Sequence, residues 1–441
     1  MFKNKLAQYN AMPYIVWGLG ALFFLMEYFI RVSPSVITHT LMATFHVQAF
    51  ALGGLSAFFY YAYISMQLPV GVLVDRFGPH KLLVVATLLC SMSIAIFASV
   101  DNIQMAYLTR FLMGLGASFA FVGTLKLIST WFPSQKFALL AGVTQALGML
   151  GAVIGNAPMS YAFHTYGWRE AMWIIAVLFL ILSFLALVFI RDHNPRLAPR
   201  IQNQKTDTIK VWPSLKVVLS NPQTWLNCLF IGLLYAPTAA FGEQWGVCFI
   251  STAHHISTTQ AAAEVGTLFI GLAIGCPTLG WLSDRLGKRL LIMRISAVAC
   301  LFLMTAILYS THNANTILPE HAYTLVLFLY GFFNSGIVPS YALASEVNPR
   351  RLTGIALGVT NMASVIIGAI FIPLIGWIMD HLWNGLRENG APVYSLSNFE
   401  YAFILLPACF VIALIISFTL RETHCKHVRN YEYESPLLQT H

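Results

Sequence analysis

The chain has 441 residues, 58% of them hydrophobic and only 10% charged, with a formal net charge of +8. A soluble domain carries about a quarter charged residues, so this composition excludes a water-soluble fold and leaves a membrane protein. No soluble segment bears a basic stripe with interleaved aromatics for nucleic acid, no GxxxxGK[ST] loop marks an ATP-driven pump, and no nucleophile–base pair or metal-ligand spacing calls for an enzyme or a cofactor.

About 20 apolar residues cross the hydrocarbon core, and twelve runs qualify: 13–37, 50–73, 82–100, 103–130, 138–162, 170–190, 224–249, 261–282, 291–311, 322–345, 353–379 and 400–420. Their uninterrupted length excludes a β-barrel, whose strands are short and alternating. The fold class is therefore all-α, with twelve transmembrane helices. Between the sixth and seventh runs, residues 191–222 form the longest polar stretch. Its prolines and mixed charges read as a linker, with a short surface helix near 211–219. The chain divides into an N-terminal six-helix bundle at 1–190, the linker at 191–222, a C-terminal six-helix bundle at 223–420 and a tail at 421–441. The tail's YEYESPLLQTH reads as disorder.

Of the 25 Lys and Arg residues, the loops on one side hold only Arg169 and Arg387, and the spans hold Arg31, Arg110 and Lys126; all others fall on the opposite side. The positive-inside rule then places both termini in the cytoplasm and explains the net charge as a topology signal. The first run is long enough to span and lacks a small-residue cleavage site, so it reads as a retained helix in a bacterial-type plasma (inner) membrane. Six of the seven cysteines read as apolar packing residues and Cys425 as a tail thiol. His254-His255 reads as a solvated outer loop.

The halves repeat. GVLVDRFGPHK at 71–81 returns as GWLSDRLGKR at 280–289, an offset of 209; FLMGLGASF at 111–119 returns as FLYGFFNSG at 328–336, an offset of 217; ALLAGVTQA at 138–146 returns as GIALGVTNM at 354–362, an offset of 216. Three matches in order, at nearly constant spacing, indicate a duplicated bundle. The G-x-x-x-D-R-x-G-[RK]-[RK] phrase after the second and eighth helices resembles the signature of the major facilitator superfamily. Gly280, Asp284, Arg285, Gly287, Lys288 and Arg289 fit it throughout; Gly71, Asp75, Arg76 and Gly78 fit, but Pro79-His80 stands where two basic residues are usual. The glycine permits close backbone approach, the aspartate can accept from a helix N-terminus or an arginine, and the cluster can form in one state and break in another. We read it as a conformational latch.

Ionisable residues inside spans are expensive and mark pathways. Glu27 and Arg31 share a face of the first helix at i and i+4, Arg110 lies in the fourth and Glu243 in the seventh. By helical rise, Arg31, Arg110 and Glu243 lie roughly 9–10 Å inside the outer ends, with Glu27 a turn deeper. Lys126 reads as snorkelling to the headgroups, and Glu264 and Glu346 as interfacial. The resemblance implies that helices 1, 4, 7 and 10 line a central cavity. EYFIRVSPS at 27–35 is similar to the Tyr-x-Asp-Arg pattern of the superfamily's anion:cation symporter branch, in which the arginine binds the substrate's carboxylate and the acid couples protons. Tyr28 and Arg31 match; Ile30 replaces the acid, and Glu27 is the candidate substitute. RFLMGLG at 110–116 resembles the superfamily's helix 4 arginine motif, and its counterpart in the second half is Leu327. Helix 5 carries Gly142, Gly151 and Gly155, but Asn156 replaces the proline of the antiporter motif, which argues for close packing.

These readings give a transporter that moves a small carboxylate-bearing metabolite by alternating access, as proton-coupled uptake. The candidate substrate-binding residues are Arg31, Arg110, Tyr28, Tyr235, Gln244, Trp245, Asn334 and Asn361, and the proton-coupling ones Glu27 and Glu243. The expected partners are the substrate, protons and the lipid bilayer, with the chain a monomer. Two Arg and two Glu would also suit a zwitterion such as an amino acid or dipeptide. Export of a siderophore or drug, or a receptor that no longer transports, are the remaining alternatives.

Overall fold

A computed structural model describes residues 2–132, 136–192, 211–310 and 319–427, with backbone alone at 2–10, 75, 138, 211, 320 and 351. Among the described residues, twelve helices are long and apolar enough to span a membrane. They are α1 (Ala11–Phe45), α2 (Ala49–Val74), α3 (Pro79–Ser99), α4 (Ile103–Trp131), α5 (Leu139–Tyr166), α6 (Trp168–Phe189), α7 (Pro222–His254), α8 (Thr258–Leu286), α9 (Arg289–Tyr309), α10 (His321–Glu346), α11 (Thr353–Leu382) and α12 (Leu396–Ser417). Helices satisfy every backbone group within the segment, which is what a hydrocarbon solvent demands.

The expected runs reappear with ends shifted by a few residues, except that α1 and α7 run well past them. Both contain a break that hydropathy does not reveal. At Ser33–Ile37 α1 tightens into a 3₁₀ turn. Pro34 has no N–H to give the Ile30 carbonyl four residues back, and the hydroxyl of Ser33 donates to that carbonyl at 3.1 Å instead. In α7, Thr238–Trp245 forms a fully buried π-helical segment directly after Pro237. The longer α1 moves Glu27 and Arg31 to the middle of their helix, deeper than the end-counting estimate.

A short helix occupies Val211–Leu219, where the linker was expected to carry one, with Trp212 exposed. Between α11 and α12 a two-stranded hairpin pairs Arg387–Glu388 with Ala391–Pro392. Its turn is Asn389-Gly390, both at positive φ, the strongest short hairpin signal available and one the hydropathy reading passed over.

The described chain groups into two compact units, residues 1–205 with 256–266 and 384–393, and residues 206–255 with 267–383 and 394–441. In the first, α1 packs on α5, α2 on α4 and α3 on α6; in the second, α7 packs on α11 and α9 on α12. The duplication extends to single atoms. Gly114 lets α4 close on the Phe59 carbonyl of α2, and Gly331, its equivalent at the 217-residue offset, lets α10 close on the Leu268 carbonyl of α8. The Cys90 thiol points at the Met113 carbonyl (3.7 Å), and Cys300 repeats this at the Tyr330 carbonyl (3.9 Å). These cysteines serve helix packing, as their burial requires.

Candidate functional site

In the first unit, the i,i+4 spacing brings Arg31 and Glu27 into direct contact: Nε donates to Glu27 Oε1 at 2.9 Å and Nη2 donates to the same oxygen. Both side chains are buried, with 3% and 1% of their surface exposed. Removing two charges from water is costly unless each is well partnered, and aromatic faces supply part of that partnership. The Arg31 guanidinium lies 4.3 Å from the Tyr28 ring centroid, 4.8 Å from Tyr63, 5.7 Å from Tyr60 and 5.8 Å from Phe59. Glu27 Oε2 and the Tyr60 hydroxyl are buried and have no hydrogen-bond partner among the described residues.

Arg110 reaches the same aromatic wall from α4, with its guanidinium 4.8 Å from the Phe59 centroid. Nη1 donates to the Ile30 carbonyl at 3.0 Å and lies 3.9 Å from the Met113 sulfur, and Nε donates to the Leu55 carbonyl at 3.4 Å. The Ile30 carbonyl is the one Pro34 leaves open, so the arginine of α4 joins the Ser33 hydroxyl at the acceptor that the proline of α1 releases. Arg110 thus ties α1, α2 and α4 together, and one Phe59 ring lies beside two guanidinium groups.

The second unit has a quieter centre. The Tyr235 hydroxyl donates to Glu243 Oε1 at 2.6 Å across the π segment, and Gln244 is buried beside it. Trp245, a candidate substrate-binding residue from sequence, is wholly buried, and its Nε1 donates to the Ile372 carbonyl of α11 at 3.0 Å. Asn334 donates from α10 to the Leu234 carbonyl of α7 at 2.7 Å. Asn361 accepts from the Tyr341 hydroxyl at 2.9 Å. Thr238 pairs with the Tyr330 hydroxyl at 3.0 Å.

The two repeated phrases end in different ways. In the second, Arg289 Nη1 donates to Asp284 Oδ1 at 2.5 Å and to Ser283 Oγ at 3.1 Å, and its Nη2 to Glu346 Oε1 at 2.8 Å. Glu346, the last residue of α10, is buried in this cluster, a partnership that its position at a span end does not reveal. Gly287 makes the turn at φ +63°, Gly280 faces Val338 of α10, and Arg285 lies against Trp281. Lys288 occupies the residue before α9. In the first, the Asp75 side chain lies outside the described residues, Arg76 is exposed beside Phe77, and Gly71 faces open space. Gly78 turns the chain at φ +80°, and a Cβ there would lie 2.5 Å from Asp192 Oδ1. That oxygen accepts from the His80 amide at 2.8 Å. Pro79 stands at the first position of α3, where its fixed φ is favourable and its missing N–H costs nothing. The departure from the two-basic-residue pattern is thus a proline start with an aspartate cap.

Sequence reasoning passed over Tyr60 and Tyr63, because YYAY at 60–63 looks like any apolar helix; only their alternation with Phe59 around Arg31 distinguishes them. It also missed Glu346, Asp192 and Glu422, whose partners are distant in sequence.

Two six-helix units with duplicated signature loops and charges buried at mid-helix define a secondary membrane transporter. The Major Facilitator Superfamily model matches residues 16–373 and 245–434, and the chain belongs to that superfamily. It is 28% identical over 291 residues to the uncharacterized transporter YybO of Bacillus subtilis (strain 168), covering 60% of this chain and 63% of YybO, so the match spans under two thirds of that relative. It is 24% identical to the probable galactarate/D-glucarate transporter GudP of Escherichia coli (strain K12), over 78% of this chain and 81% of GudP. It is also 24% identical to the probable sulfoacetate transporter SauU of Cupriavidus necator, over 66% of this chain and 69% of SauU. Among solved structures, a bacterial homolog of the human lysosomal transporter Spinster superposes with a TM-score of 0.75 at 12% identity, over 93% of this chain and 97% of that one. At that identity the likeness concerns the fold.

Proposed function

We propose that the protein is a proton-coupled carrier of small organic anions in the bacterial inner membrane, with both termini cytoplasmic, and that Arg31 holds the substrate's carboxylate. The observation that carries this reading is the buried Arg31–Glu27 pair within an aromatic enclosure. Around Phe59 two guanidinium groups meet one carboxylate, an environment that favours an anion. A guanidinium binds a carboxylate through parallel hydrogen bonds, so Glu27 and a substrate carboxylate compete for the same donors. Protonation of Glu27 removes the competitor, and binding of anion and proton become linked. The unpartnered Glu27 Oε2 and Tyr60 hydroxyl would accept from and donate to a hydroxyl beside the carboxylate. Galactarate and glucarate, named for one relative, carry such hydroxyls, and sulfoacetate, named for another, does not; all are carboxylates.

In this reading Arg110 stabilises the bend of α1 rather than meeting the substrate, and Tyr235, Gln244, Asn334, Asn361 and Trp245 order the interior of the second unit. Glu243 supports a second reading: a buried carboxylate on α7 would suit the ammonium of a zwitterion.

The test is proton movement into proteoliposomes loaded with a pH-sensitive dye. Pools of monocarboxylates, sugar acids, dicarboxylates, amino acids and dipeptides are added outside, one at a time. Lumenal acidification driven by a carboxylate pool, absent in Arg31→Ala, is the expected result. A response confined to amino acids or dipeptides selects the zwitterion. Counterflow of a labelled substrate without proton movement rejects the coupling.

A further inference from the structure

The residues after α12 do not leave the second unit as a free tail. Arg421 donates its amide to Gln223 Oε1 at 2.8 Å. The Glu422 carboxylate then lies across the start of α9, accepting from the amides of Arg289 and Leu290, each at 2.9 Å. These are two of the donors a helix N-terminus leaves open, and a carboxylate there also meets the favourable end of the helix dipole. The Thr423 hydroxyl, buried, donates to Glu346 Oε2 at 2.5 Å, the carboxylate whose other oxygen receives Arg289. His424 Nδ1 lies 3.3 Å from the Gly287 carbonyl, and the Cys425 thiol 3.8 Å from the Ser283 carbonyl. His424 and Cys425 are both in the left-handed region, at φ 52° and 59°. Two consecutive non-glycine residues there cost free energy, which the docking contacts must offset.

From these contacts we infer that residues 421–427 form a strap over the Asp284–Arg289–Glu346 latch, docked when the latch is formed and released when it breaks. The two share atoms: Arg289 gives its side chain to the latch and its backbone amide to the strap, and Glu346 accepts from both. A rearrangement that separates Arg289 from Asp284 and Glu346 therefore withdraws the seats of Glu422 and Thr423 together. The first unit holds the simpler form of the device, in which Asp192, just after α6, caps the start of α3 through a single residue. The inference rests on reading the repeated phrase as a latch, and its test is kept apart from transport.

Cys425 is the reporter. Burial raises its thiol above the ordinary range, against the opposing pull of Arg289, so the docked thiol reacts slowly. The experiment measures the rate of maleimide addition to Cys425 in the full-length protein in detergent, with the modified site located by mass spectrometry. Wild type is compared with Glu422→Gln, Thr423→Val and Asp284→Asn, each checked for a monodisperse, cooperatively unfolding protein. Loss of one charge-assisted contact is expected to raise the labelling rate about tenfold in each variant. Asp284 gives the strap no hydrogen bond, but its carboxylate and that of Glu422 both raise the Cys425 thiol. Each rate is therefore divided by the thiolate fraction taken from that variant's own pH–rate profile. Acceleration that survives this in Asp284→Asn shows that latch and strap open together. Acceleration in Glu422→Gln or Thr423→Val with wild-type labelling in Asp284→Asn would overturn the coupling. Wild-type labelling in both strap variants would overturn the strap itself. Unchanged transport in Asp284→Ala would reject the latch without reference to Cys425.

Discussion

Arg110 and Leu327 stand at equivalent places in α4 and α10, 217 residues apart, and both are buried. Around them the two units repeat the same glycine contact and the same thiol-to-carbonyl contact. The polar atoms follow a different rule. The first unit concentrates two guanidinium groups, one carboxylate and four aromatic rings at α1, α2 and α4; the second presents a tyrosine–glutamate pair and amides bonded to backbone. Duplication therefore sets the packing, and departure from it marks chemistry. An ionisable side chain inside a span is costly, and a cost carried in one half alone is not a requirement of the shared fold.

The largest test of this contrast is Arg31→Ala, which leaves Glu27 buried without its partner and the carboxylate without its donors. Truncating one partner of a buried, hydrogen-bonded charge pair at a binding site costs about 2–5 kcal/mol of affinity, so substrate binding should fall by about 30-fold or more, read by isothermal titration on purified protein. Arg31→Lys should recover only part of it, because an ammonium does not reproduce the paired guanidinium geometry. Wild-type affinity in either variant breaks the assignment of the first unit as the anion site.

Arg110→Leu makes the first half resemble the second. It removes the donors to the Ile30 and Leu55 carbonyls but no contact assigned to the substrate. Hydrogen bonds from charged groups contribute about 1.5–3 kcal/mol, so turnover should fall roughly tenfold while the substrate Kd changes by less than about threefold. An equal loss in Kd would place Arg110 on the substrate instead.

The two phrase glycines sharpen the comparison at the level of stability. Both have positive φ, but only at Gly78 would a Cβ strike a neighbour, the Asp192 carboxylate; at Gly287 there is open space. Left-handed backbone costs an alanine about 1–2 kcal/mol, so Gly287→Ala should lower the detergent Tm by a few degrees. Gly78→Ala should lower it further. Equal shifts would mean that Asp192 moves aside freely.

Much of this was legible in the chain itself. The twelve spans, the 209- and 217-residue offsets and the Glu27–Arg31 contact follow from hydropathy, repetition and helical spacing. The role of Pro34 was legible in principle, since a proline four residues after Ile30 frees one named carbonyl. Which group takes that carbonyl was not, because Arg110 lies 80 residues away. Glu346 and Glu422 were missed for the same reason: a carboxylate at a span end looks interfacial until its partner, 57 residues away for Glu346 and 133 for Glu422, is brought beside it. The π segment of α7 was invisible because TAAFGEQW carries no residue pattern that distinguishes an i→i+5 turn from an ordinary helix. The tail's last eleven residues, read from sequence as disorder, lie outside the described residues.

The central claim is that Glu27 and the substrate's carboxylate compete for Arg31. It is tested most directly by the substrate Kd of wild type and Glu27→Gln between pH 5.5 and 8.5, in detergent, with the carboxylate pool that drives proton movement. A substrate carboxylate stays ionised across this range, so any pH dependence belongs to the protein. The account predicts that wild-type affinity weakens as pH rises, as the proton leaves Glu27, whereas Glu27→Gln binds tightly and independently of pH. The same pH dependence in both proteins would contradict it.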